Sequence, residues 1–167
     1  QSTIFFLPIL LSIAVLYTEA SIYGFGLRIK QCTFDNLDDP KDKGEIENCA
    51  FAKAWSSSAL RVTYQGDIRL AICPNRRCCR RWFITINGKE CSSPAPIEAV
   101  IHAGGNSDVN LHRPASIDGI CNDIPKGEVT VGLSVGKCRH WSYDEGNAHT
   151  CWGGYCRLII EEIPYLH

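Results

Sequence analysis

The chain has 167 residues, with 17 Lys and Arg against 18 Asp and Glu, a formal net charge of −1 and ten cysteines. A chain of this length is typical of one domain, and its balanced charge excludes the basic surface that gathers nucleic acid. Its 14 Gly and 8 Pro exclude a collagen-like or low-complexity composition, so we expect one globular domain that binds no nucleic acid.

Residues 1–20 are predicted to be a secretory signal peptide. Residues 4–17 are apolar and uncharged, too short a run to span a bilayer, and the small residues Thr18, Ala20 and Ser21 follow. Cleavage after Ala20 predicts a secreted, extracellular protein, and the alternative is a signal anchor. An oxidising compartment favours disulfides over metal sites as the role of the cysteines.

All ten cysteines follow this segment, and an even number can pair completely. They are Cys32, Cys49, Cys73, Cys78, Cys79, Cys91, Cys121, Cys138, Cys151 and Cys156. Cys78 and Cys79 are neighbours, which do not bridge readily, so each is expected to pair elsewhere. Cys151 and Cys156 enclose the flexible loop Trp-Gly-Gly-Tyr, for which we predict a local disulfide. The spacings lack the paired knuckles of a zinc site, so no metal or other cofactor is expected.

The segments after the signal are predicted in chain order. Residues 21–31 are interpreted as a lead-in and residues 32–167 as a single disulfide-stabilised domain. The acidic residues 35–47 are predicted to form a solvated loop. Residues 46–55 fit either a strand or a short helix.

From residue 60 onward, apolar residues alternate with polar ones. Residues 60–64 and 68–72 flank Gln65-Gly66-Asp67 and are predicted to form a hairpin. Asn87-Gly88 predicts a second hairpin, because both central residues of a type I′ turn need positive φ. Further strands are predicted at 97–103, 109–113, 129–135 and 157–163. The pattern indicates an all-β, antiparallel, disulfide-rich β-sandwich or jelly roll.

One catalytic motif matches literally. Gly132-Leu133-Ser134-Val135-Gly136 has the G-x-S-x-G form of a hydrolase nucleophile elbow. That elbow needs a helix after the serine, and here the motif lies within an alternating strand pattern. We therefore predict that the chain is not an enzyme.

Two features could bind a partner. Arg76, Arg77, Arg80 and Arg81 surround a cysteine pair, and their planar groups suit a polyanion such as a glycosaminoglycan, or an acidic protein. The alternative is four solvated arginines paired with the acidic 35–47 segment. The aromatic residues of the Gly-rich loop 141–156 could also form a binding surface, and the alternative is a loop that only caps the sandwich. These aromatics are Trp141, Tyr143 and Trp152.

Several segments, in order over residues 30–165, resemble the C-terminal domain of the collagen triple helix repeat-containing family. They are Lys30–Phe34, Ser58–Val62, Cys78–Phe83, Asn87-Gly88, Glu90-Cys91, Pro96–Ile101, Leu111–Arg113, Gly119–Cys121, Val135–Cys138 and Arg157–Pro164. The resemblance implies a secreted, disulfide-bonded, C1q/TNF-like jelly roll that forms trimers beside a collagen stalk. Members of the family are associated with Wnt–Frizzled signalling and with restraint of collagen deposition.

The chain departs from this family in two ways. It has no Gly-X-Y segment, so a homotrimer would have to be held by the domain itself. Eight cysteines match the family frame, and Cys151 and Cys156 are an addition, which supports their pairing. The resemblance implies a non-enzymatic extracellular module that binds a ligand, receptor or matrix component. The alternatives are a structural matrix-assembly protein and a lectin-like carbohydrate- or microbe-binding defence protein.

Overall fold

A computed structural model describes residues 26–104, 109–140 and 146–164. In these ranges the chain forms ten strands and one short 3-10 turn at Pro74–Arg76. The strands are β1 (Arg28–Asp35), β2 (Gly44–Lys53), β3 (Ser58–Ala71), β4 (Arg77–Ile86), β5 (Lys89–Glu90), β6 (Glu98–Gly104), β7 (Arg113–Cys121), β8 (Gly127–Lys137), β9 (Asn147–Thr150) and β10 (Tyr155–Pro164). No helix in these ranges is long and apolar enough to cross a membrane.

The strands form two five-stranded antiparallel sheets, which pack as a β-sandwich of jelly-roll type. Sheet A has the order β1-β10-β3-β7, and β9 pairs with the far end of β3. Sheet B has the order β2-β8-β4-β5, and β6 also pairs with β4. The predicted all-β, disulfide-rich sandwich is confirmed.

The core lies between the sheets and is built mainly from alternate residues of the longer strands. Trp82 of β4 is fully buried, and its ring N–H donates a hydrogen bond of 2.8 Å to Oγ1 of Thr150. Tyr64, Val131 and Leu158 are also less than 2% exposed. Because every second residue of a strand faces the same way, the period-two pattern in the sequence is the pattern of this core.

The structure bears on two further predictions, the hairpin at Asn87-Gly88 and the conformation of residues 46–55. The Asn87-Gly88 hairpin is confirmed: Ile86 pairs with Lys89, and both turn residues have positive φ, 52° and 73°. Residues 46–55, which fitted a strand or a helix, lie mainly in β2, with Phe51 directed into the core.

The hairpin predicted at residues 60–72 is wrong, because β3 continues without a turn from Ser58 to Ala71. Gly66 is paired with Ala115 of β7 in the middle of this strand. A Cβ on Gly66 would lie 2.4 Å from the Tyr64 hydroxyl oxygen and 2.4 Å from the Cys156 sulfur. The glycine therefore allows a close approach inside a strand instead of marking a turn.

The predicted boundaries of one strand and one loop also need correction. The strand expected at 109–113 begins only at Arg113, because Leu111 N–H donates to the Val109 carbonyl in a tight turn. The first described strand, β1, starts at Arg28, within the segment interpreted as a lead-in. The acidic loop is shorter than 35–47, because β2 starts at Gly44. The predicted signal peptide lies outside the described residues.

Candidate functional site

The loop between β9 and β10 projects from sheet A. Both strands pair with β3 on the same side: Thr150 lies opposite Ile68, and Arg157 lies opposite Gln65. Between these two pairs β3 has two residues, whereas the segment that connects β9 to β10 has six, residues 151–156. The loop therefore inserts four extra residues between two strands that pair with the same side of β3, as a very large β-bulge would.

The base of this loop is fixed by a disulfide and by backbone hydrogen bonds. Cys151 and Cys156 form a disulfide across it. Cys151 N–H donates to the Asp67 carbonyl at 3.0 Å, and Asp38 N–H donates to the Cys151 carbonyl at 2.8 Å. At the tip, Asn36 binds the loop twice: its N–H donates to the Gly154 carbonyl, and its Oδ1 accepts from the Gly153 N–H. These contacts make the loop a preformed surface.

Asp67 of β3 organises the side chains next to the loop. Its Oδ1 accepts a hydrogen bond of 3.0 Å from the Trp152 N–H, and its Oδ2 lies 2.7 Å from Nδ1 of His112. The His112 ring packs against Trp152 with ring centroids 4.8 Å apart. One carboxylate thus holds the backbone of Trp152 and positions the ring that supports its side chain.

Beside these residues lies an open groove of about 850 Å³ on the outer face of sheet A, which we call the aromatic groove. It is lined by Gln65, Gly66, Asp67, His112, Pro114, Ala115, Ser116, Trp152, Tyr155 and Arg157. Trp152 lies in the anchored loop and is 55% exposed, and Tyr155 is the first residue of β10 and is 62% exposed. Two large aromatic rings held at the surface beside polar groups are typical of a binding site.

The floor of the aromatic groove is a row of three polar side chains. Gln65 of β3 lies directly between Arg157 of β10 and Ser116 of β7. None of these three side chains has a hydrogen-bond or ion-pair partner among the residues that the structure describes. The row can therefore donate hydrogen bonds to a ligand, and it can accept them through Gln65 and Ser116.

The four arginines proposed as a polyanion patch do not share one surface. Arg76 and Arg77 are exposed, whereas Arg80 and Arg81 are 3% and 9% exposed. Strand alternation in β4 sends the neighbouring side chains of Arg80 and Arg81 to opposite faces of the sheet, and Arg76 lies before this strand, in the 3-10 turn. A single patch of all four residues is therefore not formed.

Arg80 and Arg81 are each satisfied within the domain. Arg80 donates to the Gly146 carbonyl at 3.0 Å and lies 3.5 Å from Asp42, a residue of the acidic 35–47 segment. Burial lowers the pKa of Arg80, and Asp42 acts in the opposite direction.

Arg81 forms hydrogen-bonded ion pairs with Glu90 and Glu98, and its guanidinium lies over the Phe83 ring. The hydrogen bond to Glu90 raises the pKa of Arg81 and lowers the pKa of Glu90. These contacts stabilise the outer face of sheet B and leave little of Arg81 available for an external anion.

The ten cysteines form five disulfides. The pairs are Cys32–Cys49, Cys73–Cys78, Cys79–Cys138, Cys91–Cys121 and Cys151–Cys156. Cys78 and Cys79 bind different partners, as their adjacency led us to expect, and the proposed local pair at 151 and 156 is present. Ser134 of the G-x-S-x-G motif is buried inside β8, and residues 135–140 and 146–164, which the structure describes, form no helix.

Of the aromatic residues proposed in the 141–156 loop, the structure places Trp152 in the aromatic groove, while Trp141 and Tyr143 lie outside the described residues. The sequence reasoning missed most of the other groove residues, among them Gln65, Asp67 and Arg157. Their only local signal was the unusual position of Gly66 within an alternating run.

The chain was also compared with known protein families. A model of the family described as "CTHRC1, C-terminal domain" matches residues 26–160. The match begins just before β1 and ends inside β10, so it covers nearly the whole sandwich. The chain therefore belongs to the CTHRC1 C-terminal domain family.

Proposed function

We propose that the chain is a secreted, non-enzymatic extracellular module that binds a receptor, a secreted signal or a matrix component through the aromatic groove. Membership of the family and the five disulfides support an extracellular location. The observation that carries the proposal is Trp152, which is more than half exposed on a loop fixed by a disulfide and several hydrogen bonds. Ordered exposed aromatics of this kind serve as binding anchors.

The proposal includes the finer role that the resemblance implies. The partner would be a Frizzled-type receptor in Wnt signalling or a component that controls collagen deposition. The binding unit would be a homotrimer held by the domain itself. A monomer in light scattering after size exclusion would contradict the trimer, and long concentration-dependent polymers would favour the alternative of a structural matrix-assembly protein.

Replacing Trp152 by Ala is expected to weaken partner binding by roughly tenfold or more, because the largest exposed anchor of the groove is lost. The measurement is capture of a purified Frizzled ectodomain and of fibrillar collagen on immobilised protein, for the wild type and for Trp152→Ala.

The matched control is Ile120→Ala, which removes another exposed apolar side chain, 44% exposed, from β7 of the same sheet. This variant is expected to bind like the wild type. Equal losses in both variants, or no loss in Trp152→Ala, would contradict the groove as the binding surface.

A lectin-like role is the second candidate, and one observation favours it. The polar row of Gln65, Ser116 and Arg157 lies beside exposed aromatic rings, which is a combination that suits a sugar.

A further inference from the structure

The strand at the floor of the aromatic groove, β3, leaves no free edge for a peptide strand. β3 is hydrogen-bonded to β7 on one side and to β10 on the other, so its N–H and C=O groups are already paired at the groove floor. Peptides that bind sheets usually do so by adding a strand to a free edge. The groove floor along β3 therefore offers side chains, and not main chain, to a ligand, and the nearer free edge of sheet A lies on the far side of β7.

The side chains of the groove offer two kinds of contact, hydrogen bonds and aromatic stacking, within a short distance. The row Arg157–Gln65–Ser116 crosses three adjacent strands, a span of roughly 10 Å at the usual strand spacing. The exposed rings of Trp152 and Tyr155 lie at the same groove. A pyranose sugar has the complementary surface, because one face carries C–H groups that pack on an aromatic ring and its edge carries hydroxyl groups.

The charge in the groove favours an acidic sugar. Arg157 has no carboxylate partner among the described residues. Asp67, the acidic residue of the groove lining, has one oxygen on the Trp152 N–H and the other on His112. An arginine with free donors matches a carboxylate with two parallel hydrogen bonds.

We propose that the aromatic groove binds a carboxylated oligosaccharide. A pyranose ring stacks on Trp152, hydroxyl groups bond to Gln65 and Ser116, and a uronate carboxylate bonds to Arg157. This inference rests on the proposed function, since it names the ligand class of the same groove. It also moves the site for an acidic glycan from the four arginines of residues 76–81 to sheet A.

Titration calorimetry tests the proposal with tetrasaccharides of hyaluronan, chondroitin and heparin, and with neutral tetra-N-acetylchitotetraose, called chitotetraose below. At least one acidic tetrasaccharide is expected to bind, and chitotetraose is expected to bind several-fold more weakly. Trp152→Ala should weaken acidic binding by roughly tenfold. Arg157→Gln should weaken it several-fold and reduce its dependence on salt, because an ionic contact is lost.

Matched controls are Ile120→Ala for the aromatic change and Lys30→Gln for the charge change, and both should bind like the wild type. Lys30 is an exposed cation of β1, the edge strand on the other side of β10. The proposal is overturned if none of the three acidic tetrasaccharides binds, if chitotetraose binds equally well, or if Trp152→Ala and Arg157→Gln leave acidic binding unchanged.

The two proposals fail in different ways. Capture of the Frizzled ectodomain can be repeated after enzymatic removal of its glycans. If Trp152→Ala abolishes capture while no oligosaccharide binds and deglycosylation has no effect, the proposed function stands and the glycan inference is overturned. If no partner is captured although the tetrasaccharide binds at Trp152, the receptor role fails and the glycan inference stands.

Discussion

Glu162→Ala is expected to lower the free energy of unfolding by about 3–5 kcal/mol, because it leaves a buried charge without its partner. The Glu162 and Lys53 side chains are both fully buried, with Nζ and Oε1 3.8 Å apart. The carboxylate also accepts hydrogen bonds of 2.9 Å from the N–H groups of Ala54 and Trp55, and one from the Ser58 hydroxyl. Removing it would leave these donors unsatisfied at the end of β2.

The neighbouring residue provides the control. Glu161 pairs with Arg61 at 3.5 Å on the exposed face of sheet A, and Glu161→Ala should cost no more than about 1 kcal/mol. Urea denaturation of both variants, with disulfides intact, measures the difference. A loss in Glu162→Ala that is no larger than the loss in Glu161→Ala would show that this buried pair contributes little.

The same carboxylate predicts the direction of acid sensitivity. Burial raises the pKa of Glu162, but the bonds from Ser58, Ala54 and Trp55 and the charge of Lys53 outweigh it, so the folded-state pKa lies below the ordinary value of 4.5. Its contribution to stability is therefore complete above pH 4.5 and is lost as the pH falls through the folded-state pKa. Glu162→Gln should be less stable at pH 7 and should lose less stability on acidification.

The second large effect is expected from the disulfide between Cys79 and Cys138. It closes a sequence separation of 59 residues, whereas Cys151–Cys156 closes a separation of 5. Loop-closure entropy then predicts a loss of about 4 kcal/mol when Cys79 and Cys138 are both replaced by Ala, against about 2 kcal/mol for Cys151 and Cys156.

The two double variants should separate stability from binding. Denaturation under non-reducing conditions gives the stabilities, and capture on immobilised partner gives the binding. The Cys79/Cys138 variant should be the less stable of the two but should keep its aromatic groove. The Cys151/Cys156 variant should lose more binding, because the loop that carries Trp152 is no longer closed. The reverse order in either measurement would contradict this assignment.

The sandwich could be predicted from the sequence because strand alternation and turn chemistry are local. Asn87-Gly88 needs only its own backbone preference to specify a hairpin. The local pair at Cys151 and Cys156 is also a short-range property. Gly66 was misread because a glycine that permits close packing and a glycine that permits a turn look identical in a sequence.

The aromatic groove could not be predicted in the same way. Gln65, Ser116 and Arg157 lie far apart in the chain and become neighbours only through the register of three strands. The arrangement of the arginine run also came only from the structure. β4 begins at Arg77, and its period of two places Arg80 and Arg81 on opposite faces of the sheet.

The antiparallel pairing of β1 with β10 also determines how the groove is oriented when the domain is attached to another structure. Arg28 lies opposite Glu162 and Asp35 lies opposite Tyr155, so β1 begins and β10 ends at the end of sheet A that is away from the groove. The distance along β1 is roughly 24 Å. A tether attached at the start of β1 or at the end of β10 would hold the domain with Trp152 facing away from the tether. If the groove binds an acidic glycan as proposed, several copies held in this way would bind a repeating polysaccharide by avidity, beyond the affinity of a single groove.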